Sequence, residues 1–164
     1  MMKAGLIVTL LFLFCGNTAY VRNLIQDFYK PAFYAILKSG KIAAVNEELT
    51  LLASLGIAEK EAYEGALLVK KANLVKLPVE RLKLFKKGRL KLEAAILNDN
   101  ENGEYHFLRL AIQEHAPKIV KYSNDEETDK MAIKRTFKNL SPAVQQAIID
   151  YSKTSKILGP QDLN

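Results

Sequence analysis

Two apolar stripes run along the stretch that decides the fold, Ala62-Tyr63-Glu64-Gly65-Ala66-Leu67-Leu68-Val69-Lys70-Lys71-Ala72-Asn73-Leu74. With about 100° of rotation per helical residue, Gly65 and Val69 fall on one stripe, and Tyr63 and Leu67 fall on another. A helix with two apolar stripes needs neighbours on both sides. Such a helix is expected inside stacked helical hairpins, and a buried helix of an ordinary bundle has the same pattern.

Amphipathic segments flank this stretch on both sides. Apolar residues recur at three- and four-residue spacing, Leu, Ala, Lys and Glu dominate, and no strand-like alternation interrupts them. The sequence therefore predicts an all-α fold of antiparallel hairpins with about seven helices, in one domain over residues 20–164. The predicted helices are Val21–Leu37, Ala43–Leu55, Glu59–Val75, Pro78–Leu97, Glu104–His115, Glu126–Lys138 and Pro142–Lys153.

Proline, glycine and capping residues set the predicted helix ends. Pro31 is expected to kink or split the first helix, and Gly40 to end it. Asp125 and the pair Ser141-Pro142 are suited to begin the sixth and seventh helices. We expect the tail at Gly159–Asp162 to fray.

The fourth helix separates an apolar side from a basic side. Gly88 lies within the apolar side, where a missing side chain would let a neighbouring helix approach closely. The basic side belongs to a cation-rich run over residues 70–91. It indicates a solvent-exposed helix face or, alternatively, a surface that binds a polyanion. The apolar side contains Leu82, Phe85, Gly88, Leu92, Ala95 and Ile96. The candidate polyanion-binding residues are Lys83, Lys86, Lys87 and Lys91.

The first nineteen residues have the pattern of an export signal. Lys3 is followed by the apolar run Ala4–Phe14 and by Gly16–Ala19, whose small and polar residues suit a signal peptidase. The run is shorter than the ~20 residues that a membrane-spanning helix needs. We therefore expect a signal peptide over residues 1–19 and a periplasmic or secreted protein. Lipid attachment at Cys15 is the alternative, although bulky residues precede this cysteine.

Charge and cysteine content argue against a nucleic-acid-binding protein and against a fold held by disulfides or thiolate-bound metal. The chain has 24 Lys and Arg against 18 Asp and Glu, and this net charge of +6 is too modest to indicate a nucleic-acid binder. Cys15 is the only cysteine, so a chain cleaved after Ala19 has neither disulfides nor thiolate metal ligands. Its stability must come from helix packing.

Candidate catalytic residues are few. The only histidines are His106 and His115. We expect His106 to be exposed on a polar face with Arg109 and Gln113, and His115 to complement the negative end of its helix. The acids of residues 125–129 are expected to complement the positive end of the next helix. We therefore predict no enzymatic activity, no cofactor and no metal site.

The segment Asn98–Gly103 shares its Asn and Gly spacing with the first half of a calcium loop. Its first position is Asn98 rather than Asp, and its twelfth, where a Glu would bind the ion, is Arg109. A cation there would meet too little negative charge. We interpret the segment as a turn that joins two helices.

Residues 92–108 resemble the junction between two tetratricopeptide-like repeats. This segment ends one helix, turns through Asn98–Gly103 and opens the next helix with Tyr105-His106-Phe107-Leu108, while Ala62–Ala66 resembles an earlier first helix of that kind. The corresponding aromatic residues are farther apart than the ~34 residues of that repeat. The resemblance implies a superhelix of hairpins, and an irregular helical bundle is the alternative.

Four segments are similar to small exported proteins of Bacteroidota that have no assigned activity. The likeness spans most of the chain after the predicted signal, and it implies export and helicity without naming a reaction. The four segments are Tyr63–Ala66, Lys87–Ile96, Tyr105–Glu114 and Asn139–Pro142.

These features favour an exported helical scaffold that acts as an interaction module for a protein or ligand in the cell envelope. We expect a protein partner rather than nucleic acid, with membrane contact only through the signal peptide or a Cys15 lipid anchor. The alternative is a polyanion-binding protein that uses the basic face of residues 70–91.

Overall fold

The computed structural model describes residues 28–163 and confirms the all-α prediction. Within these residues the chain forms seven α-helices and three short 3-10 turns, without a β-strand. The expected signal peptide, Cys15 and the first part of the predicted helix Val21–Leu37 lie outside the described residues. The helices are α1 (Lys30–Lys38), α2 (Ile42–Ser54), α3 (Lys60–Leu74), α4 (Pro78–Asn98), α5 (Gly103–His115), α6 (Glu126–Thr136) and α7 (Pro142–Ser152).

Most observed helix ends lie close to the predicted ones, although only α5 among the described helices has a side-chain hydrogen bond at its N-cap. The side chain of Asn102 accepts hydrogen bonds from two backbone amides in the first turn of α5, which confirms the turn at Asn98–Gly103. Pro31 lies in the first turn of α1, and residues 28–29 before this helix are not helical, which agrees with the expectation that Pro31 splits the predicted first helix. Asp125 precedes α6 as predicted, but its carboxylate accepts a hydrogen bond from Gln113 instead of capping the helix.

The central helix is α3, as its two apolar stripes predict. It packs along α4 and also contacts α1, α2 and α5. Tyr63 and Leu67 on one stripe and Val69 on the other are all buried. The main hydrophobic core draws on all seven helices, and a smaller cluster surrounds Phe85 and Tyr122.

Gly65 of α3 and Gly88 of α4 bring the backbones of these two helices together, which confirms the expectation for Gly88. A β-carbon on Gly88 would lie 2.5 Å from the carbonyl oxygen of Gly65, and one on Gly65 would lie 2.8 Å from the carbonyl oxygen of Gly88. Neither position can hold a side chain unless the helices move apart. The rest of the apolar side of α4 is buried at this crossing, except Leu82, which is 46% exposed.

The two ends of the described chain are held in place. Helix α1 contacts α7, and the Lys38 amine donates a hydrogen bond of 2.8 Å to Asp150. The prediction of a frayed tail is wrong, because Leu158 is fully buried and Asp162 forms ion pairs with two lysines of α6. These contacts fasten the tail to α6.

Candidate functional site

The side of α4 that points away from α3 carries the basic residues singled out in the sequence. Lys83 and Lys86 are exposed on the side of the helix opposite Gly88, and Lys87 is exposed at the edge of that side, about 100° around the helix from Gly88. The structure therefore leaves three of the four candidate lysines accessible to a partner.

Lys91, the fourth candidate, lies apart from the other three. Its amine is 2.8 Å from the carboxylates of both Glu61 and Glu64 on α3, and its side chain is 23% exposed. Burial lowers the pKa of Lys91, but the hydrogen bonds to the two carboxylates outweigh burial and raise it. Because these carboxylates already neutralise the amine, Lys91 stabilises the α3–α4 hairpin instead of extending the accessible basic surface.

Large aliphatic side chains lie among the three exposed lysines. Val79, Leu90 and Leu97 are 83%, 70% and 84% exposed. At about 100° per residue these three positions fall within about 20° of one line along the helix, over a length of about 27 Å. We call Val79, Lys83, Lys86, Lys87, Leu90 and Leu97 the outer face of α4.

Acidic side chains contribute little to the outer face of α4. The helix contains two acids, Glu80 in its first turn and Glu93 on its flank. Glu93 is occupied, because it accepts hydrogen bonds from Arg109 at 2.8 Å and from the hydroxyl of Tyr122. Cations and aliphatic groups therefore dominate this face.

The polar side of α5 is buried, so the prediction that His106, Arg109 and Gln113 are exposed is wrong. These side chains are 4%, 6% and 2% exposed, because α6 packs against them. Asp129, which we expected to complement a helix end, is also fully buried. The guanidinium of Arg109 donates to both carboxylate oxygens of Asp129 at 2.7–3.1 Å. This pairing is what makes two buried charges tolerable.

Both ring nitrogens of His106 are occupied. Nδ1 lies 2.6 Å from a carboxylate oxygen of Asp129, and Nε2 lies 2.9 Å from the backbone carbonyl oxygen of Asn100. Burial lowers the pKa of His106, but the hydrogen bonds to these two oxygens outweigh burial and raise it. A ring that donates from both nitrogens has no lone pair with which to act as a base or to bind a metal.

A second buried polar cluster centres on Glu104 at the start of α5. Its carboxylate accepts hydrogen bonds from the hydroxyls of Tyr34 and Tyr63 at 2.7 and 2.8 Å, and from the amine of Lys30 at 2.7 Å. Burial, together with the charge of Glu104, raises the pKa of both tyrosines. The cluster joins α1, α3 and α5 through one carboxylate, and its hydroxyls stay protonated.

His115 lies apart from both buried clusters. It lies in the last turn of α5, as predicted, and its side chain is exposed. No cluster of three or more His, Cys, Asp or Glu side chains between residues 28 and 163 is placed to hold a metal ion. None of the helices in that range is both long enough and apolar enough to cross a membrane. No family model, no curated protein and no solved structure matches this chain.

Proposed function

We propose that the protein is an exported interaction module that binds the anionic lipid surface of an envelope membrane through the outer face of α4. The observation that carries this proposal is that three exposed lysines flank a line of three exposed aliphatic side chains on one helix. Isolated exposed apolar residues are common, but aliphatic groups aligned with cations are typical of helices that lie on membranes.

Charge and apolar area both favour such binding. A lysine close to an anionic leaflet contributes about 1 kcal/mol, and complete burial of a Val or Leu side chain contributes about 1.5–3 kcal/mol. Half insertion of Val79, Leu90 and Leu97 with three lysines at the headgroups therefore gives about 5–7.5 kcal/mol, which corresponds to dissociation constants of roughly 0.2 mM to 3 µM. The long stems of the lysines let their amines stay at the headgroups while the aliphatic groups insert.

This proposal replaces the protein partner expected from the sequence with a lipid partner. The reason is that the cations and aliphatic groups lie on an outward-facing side of one helix. Such a convex face is suited to bind a broad membrane surface rather than a peptide, which would need a groove. Export by the predicted signal peptide of residues 1–19 would bring the face to an envelope membrane, and a lipid at Cys15 would reinforce the contact. A tetratricopeptide-like superhelix stays a prediction on which the proposal does not depend.

A binding role is favoured over catalysis by how the titratable groups are used. The side chains of His106, Arg109 and Glu104 are engaged in buried pairs that link helices. Groups committed to such pairs are not free to transfer protons to a substrate. We therefore propose no enzymatic activity and no cofactor.

Vesicle co-sedimentation tests the proposal. The purified protein should sediment with vesicles of phosphatidylcholine and phosphatidylglycerol, and remain in solution with phosphatidylcholine alone. Replacing Lys83, Lys86 and Lys87 together by Gln should reduce binding by about 100-fold, as expected for the loss of ~3 kcal/mol. The double variant Leu90→Gln/Leu97→Gln should bind vesicles more weakly, but its binding should depend on salt concentration as strongly as that of the parent protein, because the lysines are unchanged.

A matched triple variant controls for net charge. Lys41, Lys138 and Lys156 are exposed on other elements, and their replacement by Gln removes the same charge. This variant should bind vesicles nearly as well as the parent protein. Equal losses in the two triple variants, or no binding to anionic vesicles, would contradict the proposal. Binding of an acidic protein that depends on Lys83, Lys86 and Lys87, without any lipid binding, would replace the lipid with a protein partner.

A further inference from the structure

A small pocket of about 160 Å³ opens at the junction of α3, α4 and α5. Buried apolar side chains form its floor, among them Val69, Phe85 and Leu108. An apolar cavity of about 150 Å³ is large enough to hold a benzene ring. The pocket can therefore take a compact apolar group of about six non-hydrogen atoms.

Polar side chains gather at the mouth of this pocket. Lys70 and Asn73 come from α3, and His115 comes from the last turn of α5. Nδ1 of His115 donates a hydrogen bond of 2.9 Å to the carbonyl oxygen of Ala111, since a carbonyl can only accept. Nε2 of His115 takes no part in that bond. The mouth thus combines an ammonium, an amide and an imidazole.

The pocket lacks a negative charge to balance these groups. None of its lining residues within the described chain is acidic. Burial lowers the pKa of Lys70, and no carboxylate among residues 28–163 offsets that effect. An anion at the mouth would therefore supply the counter-charge that the ammonium of Lys70 lacks.

We propose that this pocket binds a small amphipathic carboxylate, with its apolar group on the floor and its carboxylate between Lys70 and His115. The proposal is independent of lipid binding, because the two sites use different side chains. Their tests can therefore succeed or fail separately.

Benzoate and its neutral counterpart benzyl alcohol are suitable probes, added to the purified protein and followed by amide NMR. Benzoate should produce saturable shifts around Val69, Lys70 and Ile112. Lys70→Met, which keeps the length of the aliphatic stem and removes the charged amine, should weaken benzoate binding by about ten-fold or more. Binding of benzyl alcohol should be nearly unchanged in this variant.

Two further substitutions make the test specific. Lys71→Met on the same helix, outside the pocket lining, should leave benzoate affinity unchanged. Ala111→Leu should fill the pocket and abolish binding of both probes, and Ala116→Leu serves the same purpose if the first variant does not fold. Both alanines are partly exposed lining residues.

Three results would overturn the proposal. The first is equal benzoate affinity in the Lys70→Met and Lys71→Met variants, which would exclude recognition of the carboxylate. The second is the absence of saturable shifts with either probe. The third is a set of shifted amides on another surface that persists when Ala111→Leu fills the pocket.

Discussion

The carbonyl oxygen of Gly65 occupies the space that a side chain on Gly88 would need, because a β-carbon there would lie only 2.5 Å from it. We expect Gly88→Ala to push α3 and α4 apart and to lower the free energy of unfolding by about 1–3 kcal/mol, as overpacking does. The gain of up to ~1 kcal/mol in helix propensity offsets only part of this loss. Urea unfolding followed by circular dichroism measures the difference.

Gly40→Ala is the matched control for this prediction. A β-carbon on Gly40 has no neighbour within 4 Å, and its backbone does not require glycine. The free energy of unfolding of the Gly40→Ala variant should equal that of the parent protein or exceed it slightly. Equal destabilisation by the two alanine substitutions would contradict the close packing at Gly88.

Asp129→Asn should be among the most destabilising single substitutions in the chain. It leaves the buried guanidinium of Arg109 without its main counter-charge, and breaking one side of a buried pair costs about 3–5 kcal/mol. The exposed pair between Glu101 and Arg135 supplies the comparison, since Glu101→Gln should cost at most about 1 kcal/mol. Similar unfolding free energies for the two variants would show that burial of the Asp129 pair contributes little.

His106 makes stability depend on pH in a defined direction. Its pKa is raised on folding above the unfolded value of about 6.5, so its stabilisation is complete below that pH and is lost as the pH rises through the folded value. The difference in unfolding free energy between the parent protein and His106→Gln should therefore shrink from about pH 6 upward. Urea titrations at several pH values measure it, and a difference that grows with pH would contradict the protonated ring.

Tyr63→Phe should weaken the cluster around Glu104. It removes one of the donors to a buried carboxylate, and a hydrogen bond to a charged group is worth about 1.5–3 kcal/mol. Tyr29→Phe, at a residue that is 68% exposed, should have almost no effect. Thermal unfolding of the two variants provides the comparison, and a Tyr63→Phe variant as stable as the control would show that Tyr34 and Lys30 satisfy Glu104 without it.

The periodicity of apolar residues was enough to predict the helices and the central place of α3. It failed for Arg109 and His106, because polar side chains on α5 become interior only when α6 brings Asp129 against them. That pairing joins residues distant in sequence and leaves no local pattern. The aliphatic residues of the outer face were not predicted, because apolar periodicity assigns apolar residues to a buried side of the helix. Val79 and Leu90 share the basic side of α4, and Gly88, which marks the packed side, was the signal that could have placed them there.

The contact between α1 and α7 has a consequence for the order of folding. Lys38 and Asp150 are 112 residues apart, whereas α3 and α4 are neighbours along the chain. Contacts at short sequence separation form first, since closing a long loop costs more entropy. A chain synthesised from its N-terminus therefore assembles the α3–α4 hairpin before α1 can form its contact with α7. The native topology is complete only when α7 packs against α1. A chain truncated before α7 should therefore form the α3–α4 hairpin but not reach the native fold.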